Sequence, residues 1–174
     1  MLQIKGKPIM EHNILLCKKY GVKRVFINLH YLSEVIIDYF GDGSKYGLDI
    51  TYSYEKNILG TAGALIPIFN ALSKEPFFVI YGDNITNVNM NDLIVYHHNK
   101  NSDFTIAIHT KNDISQSGVL EFNELSKVTN FIEKPRSKII TSKWVNAGVY
   151  FINPLILKNK IEAGFDFGKD IIPK

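Results

Sequence analysis

One carboxylate follows an apolar run in Phe77 to Asn84, Phe-Phe-Val-Ile-Tyr-Gly-Asp-Asn. Such a run, bounded by turn residues, suits a strand covered on both faces. In open α/β sheets the ligand lies beyond the carboxyl ends of such strands. Asp83 is therefore a candidate metal ligand or substrate contact, with Gly82 letting a bulky group approach the backbone. The same residues equally suit a plain strand-to-helix turn in which Asp83 or Asn84 caps the next helix. The stretch alone leaves both readings open.

Two glycine clusters could hold phosphate. Leu59-Gly60-Thr61-Ala62-Gly63 follows an expected strand and opens an expected helix. Free N–H groups and the positive end of the helix dipole would face outward there. A plain capped helix start with small residues for close packing explains the same letters. Gly41-Asp42-Gly43-Ser44-Lys45-Tyr46-Gly47 follows a helix rather than a strand, so it reads as a helix terminator and turn. Glu133-Lys134-Pro135 at a strand end reads, by itself, as a solvated turn.

Other reactive residue types point away from chemistry. His97 and His98 are adjacent on an expected helix, where neighbours face about 100° apart and cannot chelate one ion together. They read as surface histidines, and His30, at a strand end with no visible partner, reads as structural. Cys17 is the single cysteine, which excludes an internal disulfide and a Cys-rich metal site. Its neighbours Ile14, Leu15 and Leu16 make it a small buried hydrophobe.

Positioning these residues requires an alternating set of elements. Helical spacing over Pro8–Tyr20 precedes a strand over Val22–Leu29, then a helix over Leu32–Phe40 and a strand over Leu48–Tyr54. A third helix is expected from Thr61, whose hydroxyl would cap it, to Leu72. Strands Phe77–Tyr81 and Phe104–His109 enclose a helix over Met90–Asn99. Alternation of this kind is the mark of βαβ units around a parallel sheet. Beyond residue 110 the strands shorten, at Gly118–Phe122, Val128–Glu133 and Trp144–Ile152, which predicts a small mixed or antiparallel extension. A short helix is expected over Pro154–Lys160. The fold class is α/β with a mostly parallel sheet, in a single domain over residues 1–174.

Composition narrows the partners. With 45% hydrophobic and 21% charged residues the chain reads as an ordinary globular protein, not a disordered one. The net charge of +3 comes from scattered lysines rather than a basic stripe, which argues against nucleic acid. No apolar run reaches the roughly 18–20 residues of a membrane span, and Met1-Leu2-Gln3-Ile4-Lys5 does not open a signal peptide. The expected compartment is the cytoplasm.

Four motifs in register carry a family resemblance. Glu55 to Leu65 (Glu-Lys-Asn-Ile-Leu-Gly-Thr-Ala-Gly-Ala-Leu), Tyr81-Gly82-Asp83-Asn84, Phe131-Ile132-Glu133-Lys134-Pro135 and Val145 to Tyr150 (Val-Asn-Ala-Gly-Val-Tyr) cover nearly the whole chain. Their order and spacing resemble the sugar-1-phosphate nucleotidyltransferases, most of all the mannose-1-phosphate guanylyltransferase type. Ile27 to Leu32 also resembles that branch. The resemblance implies a three-layer Rossmann-like fold and transfer of a nucleotidyl group, with Mg²⁺, from a nucleoside triphosphate to a sugar 1-phosphate.

Roles follow by similarity. Asp83 would ligate Mg²⁺, a hard cation that accepts one or two carboxylates plus phosphate oxygens and water. Glu55 would contact the base, with Leu59, Gly60 and Thr61 lining its pocket. A carboxylate there can accept from both N–H groups of guanine, whereas uracil and thymine offer one ring N–H, so Glu55 favours GTP. Glu133 would accept from sugar hydroxyls, and Lys134 would meet the sugar's phosphate. Asn146 would hold sugar hydroxyls, with Gly118 and Gly148 giving backbone access. Phe165 to Asp170 resembles a stretch packed near the sugar side, in which Asp170 is not assigned to metal.

The resemblance also implies segments that this chain lacks. A first strand with a glycine-rich phosphate loop would precede Met1, and a second metal-binding aspartate would follow Lys174. The expectation is a fold with its first strand missing, weak or no transferase activity, and exposed strand edges open to a second copy of the chain. A non-catalytic nucleotide-sugar-binding or regulatory subunit is the alternative. A glycosyltransferase on a related scaffold is disfavoured, because those usually carry Asp-x-Asp and no such triplet occurs.

Overall fold

The structure is a computed structural model that describes residues 1–135 and 142–172. The chain opens with a hairpin that the sequence does not announce, β1 (Gln3–Ile4) against β2 (Lys7–Pro8), antiparallel. Its turn, Lys5-Gly6, holds positive φ at both residues, the requirement of a tight two-residue hairpin loop. Helix α1 (Ile9–Lys19) follows directly behind Pro8, whose φ of −54° suits a helix entrance. The helix buries Ile14 and Cys17, together with the polar Glu11 and Asn13. Burial pushes the Cys17 thiol up to about 11, so it is protonated and inert at neutral pH.

A first βαβ unit comes next. Strand β3 (Arg24–Leu29), helix α2 (Ser33–Phe40) and strand β4 (Asp49–Tyr54) form a parallel ladder, in register from Arg24 opposite Asp49 to Leu29 opposite Tyr54. Ile14 packs with Ile27, Leu29, Phe40, Tyr46, Leu48 and Ile50 in one core. The turn after α2 is a terminator, as its glycines predict. At Gly43 φ is 87° and a Cβ would stand 2.6 Å from Ile50 Cγ1.

The expected helix from Thr61 to Leu72 is broken. A 3₁₀ turn spans Gly63–Ile68, and only α3 (Phe69–Leu72) is α-helical. Pro67 lies inside the 3₁₀ segment, and a proline there lacks the N–H and clashes with the preceding turn of an α-helix. Thr61 does not cap this segment, because its hydroxyl is engaged elsewhere. The expected helix over Pro154–Lys160 is likewise a single 3₁₀ turn, Pro154–Ile156.

The larger sheet is built around a late strand. Strands β5 (Phe77–Ile80), β6 (Phe104–Thr110), β7 (Gly118–Phe122), β8 (Val128–Glu133) and β9 (Trp144–Ile152) form it, with helix α4 (Met90–Asn99) between β5 and β6. Both β5 and β6 pair antiparallel with β9: Val79 and Ile106 each oppose Tyr150. Strand β7 meets β9 at Val119 and Val145, and β8 pairs β7. The α/β class stands, with a parallel and an antiparallel ladder, but the balance differs from a mostly parallel sheet. In this sheet all the described ladders are antiparallel, and β9 separates β5 from β6. A strand buried on both faces is apolar whichever way its neighbours run, so the letters of β5 and β9 do not reveal direction. Between β3 and β5 no ladder joins the two sheets among the described residues.

The second core is aromatic. Tyr150 lies 5.0 Å from Phe167 and 5.3 Å from Phe104, ring centre to ring centre. All of these rings pack with Ala62, Leu65, Ile152 and Leu157. Phe167 begins a π-helical turn, Phe167–Ile171, that closes the described chain over this core. No helix among the described residues is long and apolar enough to cross a membrane.

Candidate functional site

Strand β5 ends at Ile80, and the chain turns through Tyr81-Gly82-Asp83-Asn84. The turn is closed by Asn84 N donating to Tyr81 O at 3.2 Å. Asp83 is exposed and lines a cleft of about 1050 Å³. It is not a helix cap. Helix α4 begins at Met90 and is capped by Asn89, whose Oδ1 accepts from the N–H groups of Asn91 and Asp92. Of the two readings of Asp83, the cap therefore falls, and its carboxylate is left facing the cleft.

The same cleft gathers Thr61, Gly118, Glu133, Lys134, Asn146 and Gly148. Gly118 opposes Glu133 across the β7–β8 ladder. A Cβ at Gly118 would stand 2.4 Å from Phe131 Cζ and 3.1 Å from Glu133 Oε2, so glycine leaves that carboxylate its place. Lys134 has φ of 44°, uncommon for a residue with a Cβ. Its N–H donates to Ser117 O at 3.1 Å, which turns the chain out of β8. Backbone strain of this kind collects at functional sites.

Asn146 is fixed from within. Its Oδ1 accepts from Gly148 N at 2.9 Å, and its Nδ2 donates to the Tyr150 hydroxyl at 2.6 Å. That hydroxyl in turn donates to Tyr81 Oη at 3.1 Å. Burial, first of all, pushes the Tyr150 phenol far above its ordinary value, with the neighbouring Tyr81 adding to it. The relay therefore runs through a neutral hydroxyl. Gly148 holds φ of 68°, and a Cβ there would meet Asn84 Nδ2 at 2.6 Å and the Tyr81 ring at 3.0 Å.

Gly60 to Gly63 do not form an open anion site. The N–H groups of Ala62 and Gly63 donate to Phe165 O at 2.9 and 3.1 Å, and Thr61 N donates to Asp166 Oδ1 at 3.0 Å. The donors that an anion would need are already in use. Gly60, at φ 80°, brings its Cα against the late segment, where a Cβ would stand 2.4 Å from Phe165 O. Asp166 and Lys169 join the cleft wall through this docking. The carboxylate of Asp170 turns inward and accepts from Asp166 N.

Glu55, Leu59, Gly60 and Gly82 do not line this cleft. Glu55 is nevertheless only 4% exposed, unlike an ordinary loop glutamate. Its Oε2 accepts from Leu59 N at 2.9 Å, while Oε1 is buried with no partner. His30 Nδ1 lies 2.8 Å from Glu55 O. A carbonyl can only accept, so that nitrogen carries the proton and His30 steadies the Glu55 backbone. Gly82 sits in the Asp83 turn, with Met10 Cε 3.1 Å from where its Cβ would be.

Metal donors are sparse. No group of three or more His, Cys, Asp or Glu side chains among the described residues could hold an ion. Asp83 is a single carboxylate, which fits Mg²⁺ where phosphate oxygens and water complete the shell. His97 is buried, not a surface histidine, with Nδ1 2.8 Å from Thr105 Oγ1 and its ring edge-on to Phe151. Burial lowers its pKa, with His98 contributing. Asn13, Tyr81, Tyr150 and Asp166 support the site and were not expected from sequence. Tyr81, Tyr150 and Asp166 lie in stretches that carry the family resemblance, whereas Asn13 had no signal.

Comparison with known proteins gives the family. A family model described as nucleotidyl transferase matches residues 1–174. The chain is 32% identical over 189 residues to the UTP–glucose-1-phosphate uridylyltransferase of Synechocystis sp., covering 100% of this chain and 48% of that protein. It is 33% identical over 179 residues to probable mannose-1-phosphate guanylyltransferase 3 of Oryza sativa, covering 100% and 49%. Among solved structures, HddC from Yersinia pseudotuberculosis superposes with a TM-score of 0.84 at 25% identity, covering 100% of this chain and 75% of that one. The chain spans about half the length of the curated relatives it matches. With the family model matched along its whole length, the chain belongs to the nucleotidyl transferase family, and its relatives there are sugar-1-phosphate nucleotidyltransferases.

Proposed function

We propose that this chain forms the nucleotide- and sugar-phosphate-binding body of an enzyme that transfers GMP from GTP to a sugar 1-phosphate. An oxygen of the sugar phosphate bonds to the α-phosphorus, the α–β bridging bond breaks, and pyrophosphate leaves with that electron pair. The observation that carries the reading is one cleft shared by Asp83, Glu133, Lys134 and Asn146, drawn from strands β8 and β9 and from the turns after β5 and β8.

Each residue has a task within that reading. Lys134 meets the sugar's phosphate as a compact positive charge. Glu133 accepts from sugar hydroxyls, and Asn146 offers the amide hydrogen and lone pair that Tyr150 and Gly148 leave free. Asp83 would hold Mg²⁺, which when bound neutralises charge building on the phosphates. Holding both substrates in line is the rest of the task, since phosphoryl-type transfer depends on positioning more than on covalent chemistry by the protein.

The preference for GTP rests on Glu55. Glu55 lies outside the cleft lining, but its buried Oε1 has no partner among the described residues. Guanine, once that oxygen is reached, would present two N–H groups on one edge. Identities of 32% and 33% to a uridylyl- and a guanylyltransferase do not separate the bases. A solved structure of HddC complexed with GMP-PN, at a TM-score of 0.83 and 26% identity, is consistent with guanine.

Pyrophosphate release by the purified chain tests this, with Mg²⁺, each of GTP, UTP and dTTP, and mannose, glucose and heptose 1-phosphates. The expected result is weak release, with GTP preferred roughly tenfold or more. Equal rates with UTP would overturn the guanine assignment. No release with any pair would overturn the transferase reading for this chain, and calorimetric binding of GDP-mannose without turnover would replace it with a binding module.

A further inference from the structure

A buried amide sits behind the Asp83 turn. Asn13, on α1, is 6% exposed. Its Nδ2 donates to Tyr81 O at 3.3 Å and to Asn84 O at 2.8 Å, across 68 and 71 positions of chain. Those two carbonyls bracket Gly82 and Asp83, so one planar amide spans the turn. Met10, three residues earlier on the same helix, brings its Cε against Gly82.

The other side of the turn is held by β9. Tyr81 N donates to Gly148 O at 2.9 Å, and Asn84 Nδ2 donates to Ala147 O at 3.3 Å. Between α1 and β9 the backbone of Gly82 and Asp83 has little freedom left, although both residues are exposed. Burial alone does not call for an amide at position 13. Its Oδ1 is buried with no partner, which costs desolvation that an aliphatic side chain would avoid. What the amide supplies instead is two N–H groups at a fixed spacing.

We infer that Asn13 is a positioning residue that sets the backbone of the Gly82–Asp83 turn and so the direction in which the Asp83 carboxylate enters the cleft. Asn13 acts through Asp83 and touches no substrate. Its consequence for metal and nucleotide rests on the function proposed above, whereas its effect on the turn does not.

Two variants of the full chain test it, Asn13→Leu, close in shape without a donor, and Asn13→Ala. Backbone ¹⁵N relaxation reads the turn, binding of Mn²⁺ with GTP reads the carboxylate, and Asp83→Asn is the reference. The expected result is that order parameters at Gly82, Asp83 and Asn84 fall from about 0.85 towards 0.6 or below while those of α1 hold. Mn²⁺–GTP binding weakens in the same direction as in Asp83→Asn, and Asn13→Leu adds nothing on top of Asp83→Asn. An unchanged turn in either folded variant overturns the inference, and so does a loosened turn with unchanged Mn²⁺–GTP binding when Asp83→Asn weakens it. If Asp83→Asn itself leaves that binding unchanged, the metal role of Asp83 falls, and the relaxation data alone still decide Asn13.

Discussion

Thr61 and Asp166 are joined by two hydrogen bonds across 105 positions: the Thr61 hydroxyl and the Thr61 N–H both donate to Asp166 Oδ1 at 3.0 Å. The same hydroxyl accepts from Phe167 N at 3.0 Å. A residue whose letter suggests a helix cap is instead the clasp that draws the late segment, with Asp166 and Lys169, onto the cleft wall.

Thr61→Val keeps the shape and removes the clasp. It is expected to cost about 1–3 kcal/mol, since Phe167 N loses its acceptor, and to lower Tm by about 2–4 °C per kcal/mol for a chain of this size. Thr61→Ser restores the hydroxyl and should recover most of the loss in thermal melts.

Tyr150→Phe breaks the relay between Asn146 and Tyr81. The ring and its packing remain, so the stability cost is that of one hydrogen bond from a half-buried amide, about 0.5–1.5 kcal/mol. Asn146 loses one of its two internal ties. Steady-state kinetics should show a raised KM for the sugar 1-phosphate with a smaller change in kcat, and equal losses in both would remove Asn146 from sugar binding.

Gly148→Ala and Gly164→Ala separate strain from collision. Both glycines hold positive φ, at 68° and 93°, but only at Gly148 would the Cβ meet atoms, with Asn84 Nδ2 at 2.6 Å. Backbone strain alone costs roughly 1–3 kcal/mol. Gly148→Ala is expected to exceed that and to abolish activity by displacing the Asp83 turn, while Gly164→Ala stays within it by denaturant titration.

His97 makes stability depend on acid. Its pKa is lowered in the fold, chiefly by burial, so the unfolded chain binds the proton more readily than the native one. The contribution is fully present above the unfolded value of about 6.5 and is lost as pH falls from there through the folded value. Melting temperature should therefore decline on acidification below about pH 6.5, and His97→Gln should flatten that part of the profile. An identical profile in the variant would assign the acid sensitivity to other groups.

Local pattern decided much of what lies around the site. Period and turn letters placed α4 over Met90–Asn99 and β7, β8 and β9 on their observed bounds, because apolar spacing reports burial over a few residues and needs no knowledge of partners. The glycine turn after α2 was legible for the same reason, since positive φ is a property of one residue. The strand-end carboxylate at Asp83 was visible as a candidate, and its cap alternative fell once Asn89 was seen at the start of α4.

Tertiary structure decided which groups meet. That β9 lies between β5 and β6, that Phe165 and Asp166 use the N–H groups of the 61–63 loop, that His97 is buried, and that Asn13 spans the Asp83 turn are all long-range facts. Each rests on a contact whose partner lies many positions away, and a hydrogen-bonding side chain carries no mark of which distant carbonyl or amide will reach it. The sequence determined most of the elements, though not the opening hairpin or the break at Pro67, and where a carboxylate would emerge; only packing determined how that carboxylate is held, because pairing is set by the burial of whole faces and not by neighbouring letters.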